Sequence, residues 1–244
     1  MSKLYTELSR VYHEMHQTLF DYAAQYALFE GLIREHGCRN VLEIGCGSGN
    51  LYPYFLESGY AYTGLDLSGE MLAIAREEHP KGRFVQGDMR DFDLNERFDA
   101  VLVTGRSFTY MTRNEDVHLA LKTMGRHLER GGLLVFDNFH AGEIFTDFRT
   151  ELSSVCTYDT RTYTRASRNS INGETGWTWN WHAMYTIEEA GKDTLVIEDA
   201  AVLRAFTPDE IGLFLALNGY ETVKTHYDPP VMTSVAKYMD NSRL

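Results

Sequence analysis

At 244 residues the chain is long enough for one domain with a full core plus an insertion, and marginal for two. Its 35 acidic against 23 basic residues give a formal net charge of -12; an acidic surface repels phosphate backbones, which makes nucleic acid a poor partner. Cys38, Cys46 and Cys156 are an odd set without metal-ligand or disulfide spacing, no signal-peptide pattern opens the chain, and the longest apolar run, Ile211 to Leu217, is too short to span a bilayer. The expectation is a cytoplasmic protein with free thiols, no metal and no membrane partner.

From Leu4 to Glu35 the pattern is helical. Leu4, Leu8 and Tyr12 suit a first short helix, and Tyr22, Tyr26, Phe29 and Ile33 share one face of a second, with Asp21 as its cap and Gly37 as its end. A hinge near Gln17 would let residues 1–36 serve as a helical lid over a ligand site.

Val41, Leu42 and Ile44 then read as a short buried strand, followed at once by Gly45, Gly47 and Gly49, and helical spacing resumes at Leu51, Tyr54 and Phe55. Glycine allows positive φ in such a loop and lets backbone N–H groups approach a ligand, while the helix start behind it favours an anionic group. A dinucleotide fingerprint would need a third glycine where Asn50 stands.

Residues 62–66 form a second strand ending in Asp66, and Ser68 caps a helix containing Met71, Leu72 and Ala75 that closes at His79-Pro80. An acid at the end of the second strand of a βαβ unit can accept from both ribose hydroxyls. The third strand leaves at Asp88 and Met89, where a carboxylate can take an adenine amino group and the methionine offers a polarisable wall. Residues 98–104 are a fourth strand. A helix with Val117, Leu121, Met124 and Leu128 stops at Gly131-Gly132, and Leu133 to Phe136 is a fifth strand running on to His140. Five alternations of strand and helix call for a parallel sheet covered on both faces, with ligands beyond the carboxyl ends of its strands.

After Phe148 the pattern changes to an antiparallel meander of three longer segments, Val155 to Arg165, Trp177 to Ile187 and Leu195 to Phe206. Trp177, Trp179, Trp181 and Tyr185 share one face of the middle segment, which favours core packing. Arg161, Arg165 and Arg168 read as a solvated strand edge, with binding of a phosphate-bearing small molecule as the minority reading. Thr207-Pro208-Asp209-Glu210 opens a helix with a capping box. Residues 220–227 and 231–238 are two closing strands.

The sequence Glu43-x-Gly45-x-Gly47-x-Gly49 resembles motif I of the class I S-adenosylmethionine-dependent methyltransferases. Gly87-Asp-Met-Arg-Asp-Phe92, the segment from Phe98 to Met111 and the late insertion resemble the small-molecule branch of that family, near the nucleotide-amino-sugar N-methyltransferases. The resemblance implies a single Rossmann-like α/β domain over 1–244 with a seven-stranded, mostly parallel sheet in order 3-2-1-4-5-7-6, and an antiparallel insertion over 148–206 that roofs the acceptor site. It implies S-adenosyl-L-methionine as cofactor, S-adenosyl-L-homocysteine as product, and methyl transfer to the nitrogen or oxygen of a small-molecule acceptor by a monomer or homodimer. Carried over by position, the cofactor-binding set is Tyr12, Glu43, Gly45, Cys46, Gly47, Asn50, Asp66, Leu67, Met71, Asp88, Met89 and Gly105. Tyr12, Tyr110 and His140 are the candidates for orienting the acceptor or taking its proton; Tyr110 stands where the amino-sugar enzymes can carry histidine. A cofactor-binding protein without catalysis and a nicotinamide-dependent oxidoreductase remain as alternatives.

Overall fold

In the computed structural model, which describes residues 2–239, a short 3-10 turn over Lys3–Tyr5 leads into α1 (Ser9–Leu19) and α2 (Tyr22–Arg34). Asp21 caps α2 by accepting from Ala24 N at 2.9 Å. The break between the helices falls at Phe20 and Asp21, so the hinge expected near Gln17 is displaced. Gln17 lies inside α1 and donates to Asn50 at 2.7 Å.

The core then alternates β1 (Asn40–Ile44), α3 (Tyr52–Glu57), β2 (Ala61–Asp66), α4 (Gly69–Glu78), β3 (Arg83–Gln86), β4 (Phe98–Val103), α5 (Asn114–Arg126) and β5 (Leu128–Phe139). Helix α5 ends before Leu128, which belongs to β5: after the cap at His127 the chain enters the sheet beside Phe98. After α6 (Ala141–Thr146) comes the insertion, β6 (Glu151–Tyr158), β7 (Arg161–Ile171), β8 (Trp177–Glu189) and β9 (Leu195–Ala205). The chain closes with α7 (Pro208–Leu217), β10 (Tyr220–Asp228) and β11 (Val231–Tyr238).

The main sheet runs β10-β11-β5-β4-β1-β2-β3, the expected order, with β11 antiparallel to both of its neighbours. Its central strands are apolar on both faces because both are covered. Leu42, Ile44, Val101, Val103, Leu134 and Phe136 pack with α5 and α7. On the other face Val41, Ala100, Leu102, Leu133 and Val135 pack under Phe29, Ile33 and Phe55. Thr207 makes the complete capping box expected at the start of α7.

The insertion is a separate four-stranded sheet, β6-β7-β8-β9, not a three-segment meander. The segment read as one strand from Val155 turns back at Asp159, whose φ is +51°, so that Tyr158 pairs with Arg161. This tight turn carries no glycine, which is why the sequence pattern hides it. The turn makes β7 an inner strand. Arg161 and Arg165 therefore share the inward face with buried Tyr163, and only Arg168 is the solvated charge expected of all three. Trp179, Trp181 and Tyr185 pack inward, as the aromatic alternation suggests, whereas Trp177 at the end of the strand is 43% exposed. The C-terminal end of the insertion is tied to the carboxyl end of β5, where Phe206 N donates to Phe139 O at 3.0 Å and Ala141 N to Phe206 O at 2.9 Å. Tyr163, Ala183 and Tyr185 pack on Leu4, Leu8 and Met15 from the N-terminal segment.

Candidate active site

The site is built at the carboxyl ends of β1, β2 and β4. At Gly45 the chain leaves β1 with φ +74°, and a Cβ there would collide with the Ser107 side chain, so glycine is required on two counts. Beneath the loop, Glu43 is buried and accepts from Thr104 Oγ1 at 2.5 Å and from the Tyr62 phenol. Burial pushes its pKa up to about 7. Glu43 thus braces three adjacent strands under the glycines.

Asp66 holds the loop from the side, its two oxygens accepting from Gly47 N and Ser68 N, each at 2.8 Å. Burial raises its pKa and these backbone bonds oppose the rise. Each oxygen keeps lone pairs for a ligand hydroxyl. Asp88 is engaged by an unforeseen partner: Arg90 forks onto both of its oxygens, with Nη2 at 2.6 Å, and reaches Asp116 at 2.9 Å. Those bonds keep the Asp88 carboxyl below its ordinary range.

Two cavities meet at the glycine loop. The larger, about 270 Å³, lies among Tyr5, Gly45, Asp66, Leu67, Met89 and Tyr110 and also touches Asp88. The smaller, about 50 Å³, lies among Tyr12, Glu43, Cys46, Asn50, Gly105 and Arg106, with Gly45 and Gly47 shared between the two. Met71 is buried behind the loop, its Cε methyl 3.3 Å from where a Cβ on Gly47 would stand, and lines neither cavity.

The N-terminal segment covers this site. His13 Nδ1 and Ser48 Oγ are 2.9 Å apart on one side of α1, while Glu14 on the other takes Arg161 at 3.1 Å and the Tyr163 phenol. Ahead of α1, Asp199 of β9 accepts from Lys3 N at 2.9 Å and Leu4 N at 3.0 Å, and the Ser68 hydroxyl donates to Tyr5 O. These anchors hold the Tyr5 phenol 3.0 Å from that of Tyr110 and its ring against Tyr12. Burial raises the pKa of all three phenols above the ordinary tyrosine value. Tyr5 is the functional candidate that sequence reading missed; no local motif marks it.

His140 does not join this group. It caps α6, its Nδ1 accepting from Glu143 N at 3.2 Å, packs against Tyr227 and lines neither cavity. Among the described residues no group of His, Cys, Asp and Glu could hold a metal ion, and no helix is long and apolar enough to cross a membrane.

A parallel sheet of this order, with a glycine loop after its first strand and an acid closing its second, defines an α/β protein that binds an adenosyl ligand at its strand ends. Residues 41–132 match the family model described as a methyltransferase domain. The chain is 30% identical to the dTDP-3-amino-3,4,6-trideoxy-alpha-D-glucopyranose N,N-dimethyltransferase of Streptomyces venezuelae, over 76% of this chain and 78% of that one. It is 32% identical to the dTDP-3-amino-3,6-dideoxy-alpha-D-glucopyranose N,N-dimethyltransferase of Streptomyces fradiae, over 69% and 67%. The S-adenosylmethionine-bound amino pentose methyltransferase of calicheamicin biosynthesis from Micromonospora echinaspora superimposes with a TM-score of 0.79 at 25% identity, covering 93% of this chain and 96% of that one. The chain belongs to the small-molecule branch of the class I S-adenosylmethionine-dependent methyltransferases. It is an enzyme that uses S-adenosylmethionine to methylate a small-molecule acceptor, which sets aside the non-catalytic and nicotinamide-dependent alternatives.

Proposed function

We propose that this enzyme methylates the amino group of a nucleotide-linked amino sugar. The observation that carries the choice of nitrogen is that the phenols at the cavities stay neutral and the carboxylates lining them, Glu43, Asp66 and Asp88, already accept hydrogen bonds from the protein. Burial leaves Tyr5, Tyr12 and Tyr110 as neutral phenols, and burial together with nearby arginines holds His16 down at a pKa of about 3. Glu43, which lines the smaller cavity, is 2% exposed and is held by hydrogen bonds from Thr104 and Tyr62. An oxygen nucleophile usually needs its proton removed, whereas a neutral amine attacks as it arrives. The names of the relatives, which specify amino sugars, support the same acceptor class.

The cofactor fits the residues present: glycines where a side chain would collide, an acid positioned for ribose, and a cavity walled by Leu67 and Met89. Asp66 would take the ribose hydroxyls, Asp88 (shared with Arg90) and Met89 the adenine, and Gly45, Gly47, Asn50 and Gly105 the methionyl end. The bound cofactor supplies a methyl on a sulfonium for in-line displacement. The protein's part is to hold the nucleophile in line and dry, a proximity effect worth up to roughly 7–11 kcal/mol. Tyr110 and Tyr5 orient the acceptor nitrogen by hydrogen bond, and Tyr12 walls the sulfonium side.

Residues 1–36 act as the lid and the insertion as the roof of the acceptor site; their anchoring to each other through Asp199 and Glu14 supports both roles. We assign the protein to the cytoplasm, as a monomer or homodimer without a nucleic-acid partner, on its free thiols and acid excess; fractionation and light scattering test this.

The test of function is incubation with S-adenosylmethionine and the dTDP-3-amino sugar named for the Streptomyces venezuelae relative. One or two methyl groups gained on nitrogen, with matching S-adenosylhomocysteine, is the expected result. No transfer to any of a panel of dTDP-amino sugars, by protein that binds the cofactor, refutes the acceptor class.

A further inference from the structure

Guanidinium groups inside a protein are usually matched by carboxylates, because a buried cation left unpaired costs several kcal/mol. Most of the partly buried arginines here obey this. Arg90 pairs with Asp88 and Asp116, Arg161 with Glu14 and Glu189, and Arg204 with Glu210. Arg106 and Arg165 do not: both are half-buried, and neither forms an ion pair among the described residues. They lack partners in a chain with 12 more acids than bases (35 against 23).

The two come from different walls and face the same place. Arg106, on the loop after β4, lays its guanidinium 5.1 Å from the Phe20 ring centre and 5.6 Å from that of Phe139. Asp137 feels the Arg106 charge but accepts the Arg106 backbone N–H, at 2.6 Å, and forms no ion pair with the side chain. Arg165 projects from the inward face of β7, in register with Ser154 and Tyr185. Tyr185 is 2% exposed and its hydroxyl lies beside the Arg165 guanidinium without a hydrogen bond of normal geometry, and the buried Ser154 hydroxyl has no partner either. Between the arginines lies His16, its ring 4.6 Å from Phe20 and 3.6 Å from Tyr12. After burial, the charges of Arg106 and Arg165 are the largest influences holding that imidazole neutral.

Two unpaired guanidiniums and two unpartnered hydroxyls under one roof can all donate, and no carboxylate among the described residues pairs with them. That donor set selects an oxyanion. We propose that Arg106, Arg165 and the Tyr185 hydroxyl form the subsite for an anionic group of the methyl acceptor, a phosphate ester or a carboxylate. The proposal rests on the reading of the enzyme as a methyltransferase of a nucleotide-linked amino sugar, and adds which side chains hold the acceptor's anionic group. The acceptor and not the cofactor is the occupant because Arg165 and Tyr185 belong to the insertion and line neither cavity at the glycine loop.

The test is calorimetric titration of the S-adenosylhomocysteine-loaded protein with inorganic pyrophosphate and, separately, with acetate. Saturable binding of pyrophosphate is expected, weakened roughly ten-fold or more by Arg165→Gln and less by Tyr185→Phe, since a charged donor contributes more than a neutral one. S-adenosylhomocysteine affinity stays unchanged in both variants, which also reports that they fold. Acetate binding in place of pyrophosphate, with the same dependence on Arg165, supports the site and identifies the anion as a carboxylate. Absence of saturable binding for both anions, or binding that Arg165→Gln leaves intact, overturns the proposal. Arg106→Gln adds a second arm: if it weakens S-adenosylhomocysteine but not 5′-methylthioadenosine, Arg106 serves the methionyl carboxylate and the shared subsite is refuted. Wild-type protein that fails to bind S-adenosylhomocysteine at all would instead sink the methyltransferase reading on which this one stands.

Discussion

The phenol oxygens of Tyr5 and Tyr110 stand 3.0 Å apart, joined across 105 residues of sequence. Each arrives by a separate route, Tyr110 on the turn that follows β4 and Tyr5 on a segment pinned by Asp199 and Ser68. The pair forms one hydrogen-bonded unit at the cavity, and removing either hydroxyl should disturb the same nucleophile.

Tyr110→Phe and Tyr5→Phe are each expected to slow single-turnover methylation roughly 2- to 12-fold, the range of one neutral hydrogen bond. The double variant should be little slower than either single one, because the two hydroxyls act together. Cofactor affinity should not change. Independent, multiplying losses would show that the phenols act separately.

Asp66 is expected to carry the ribose. Asp66→Ala removes charge-assisted bonds worth about 1.5–3 kcal/mol, so S-adenosylhomocysteine should bind roughly 10- to 150-fold more weakly by calorimetry. Since Asp66 also holds Gly47 N and Ser68 N, Asp66→Asn serves as the control that keeps an acceptor oxygen for one of them. Unchanged affinity in Asp66→Ala would remove the ribose assignment.

The buried Glu43 carboxyl gives a pH signature. Its folded pKa of about 7 lies above the unfolded value, so the folded state holds the proton more tightly. Its contribution to stability is therefore full below the unfolded pKa of about 4 and is lost as pH rises through about 7. Relative to wild type, Glu43→Gln should gain on the order of 3 kcal/mol between pH 4.5 and pH 8 in denaturant melts. Wild-type and variant stability curves that run parallel across this window would show that Glu43 is not protonated in the folded protein.

Asp199 anchors the N-terminal segment through the backbone of Lys3 and Leu4. Asp199→Ala should speed hydrogen exchange over residues 3–8 and raise the dissociation rate of S-adenosylhomocysteine, while the main sheet keeps its protection. Exchange confined to its wild-type rate would show that the segment is held by Leu4 and Leu8 packing alone.

The parts of the site that were legible in sequence are those whose geometry is local. Gly45, Gly47 and Asp66 sit at strand ends whose positions follow from hydrophobic runs, and the capping box at Thr207 is written in four residues. What was not legible depends on register or on distant contacts. The inward aim of Arg161 and Arg165 hangs on one glycine-free turn at Asp159, since side chains alternate across a strand and the turn decides which strands flank it. Tyr5 reaches the cavity because Asp199, 195 or 196 residues away, and Ser68 capture the chain around it. His140 shows the converse: its position after β5 suggested chemistry, while its ring is occupied in capping α6.

Methyl transfer to nitrogen, with no side chain taking a proton before attack, is tested most directly by comparing two acceptors. Single-turnover rates at saturating S-adenosylmethionine would be measured for a dTDP-3-amino sugar and for the same sugar with a hydroxyl in place of the amine. The account predicts methyl transfer to the amine, with equimolar S-adenosylhomocysteine, and none to the hydroxyl. Methylation of the hydroxyl at a comparable rate would mean that a side chain in this site takes a proton, and would contradict it.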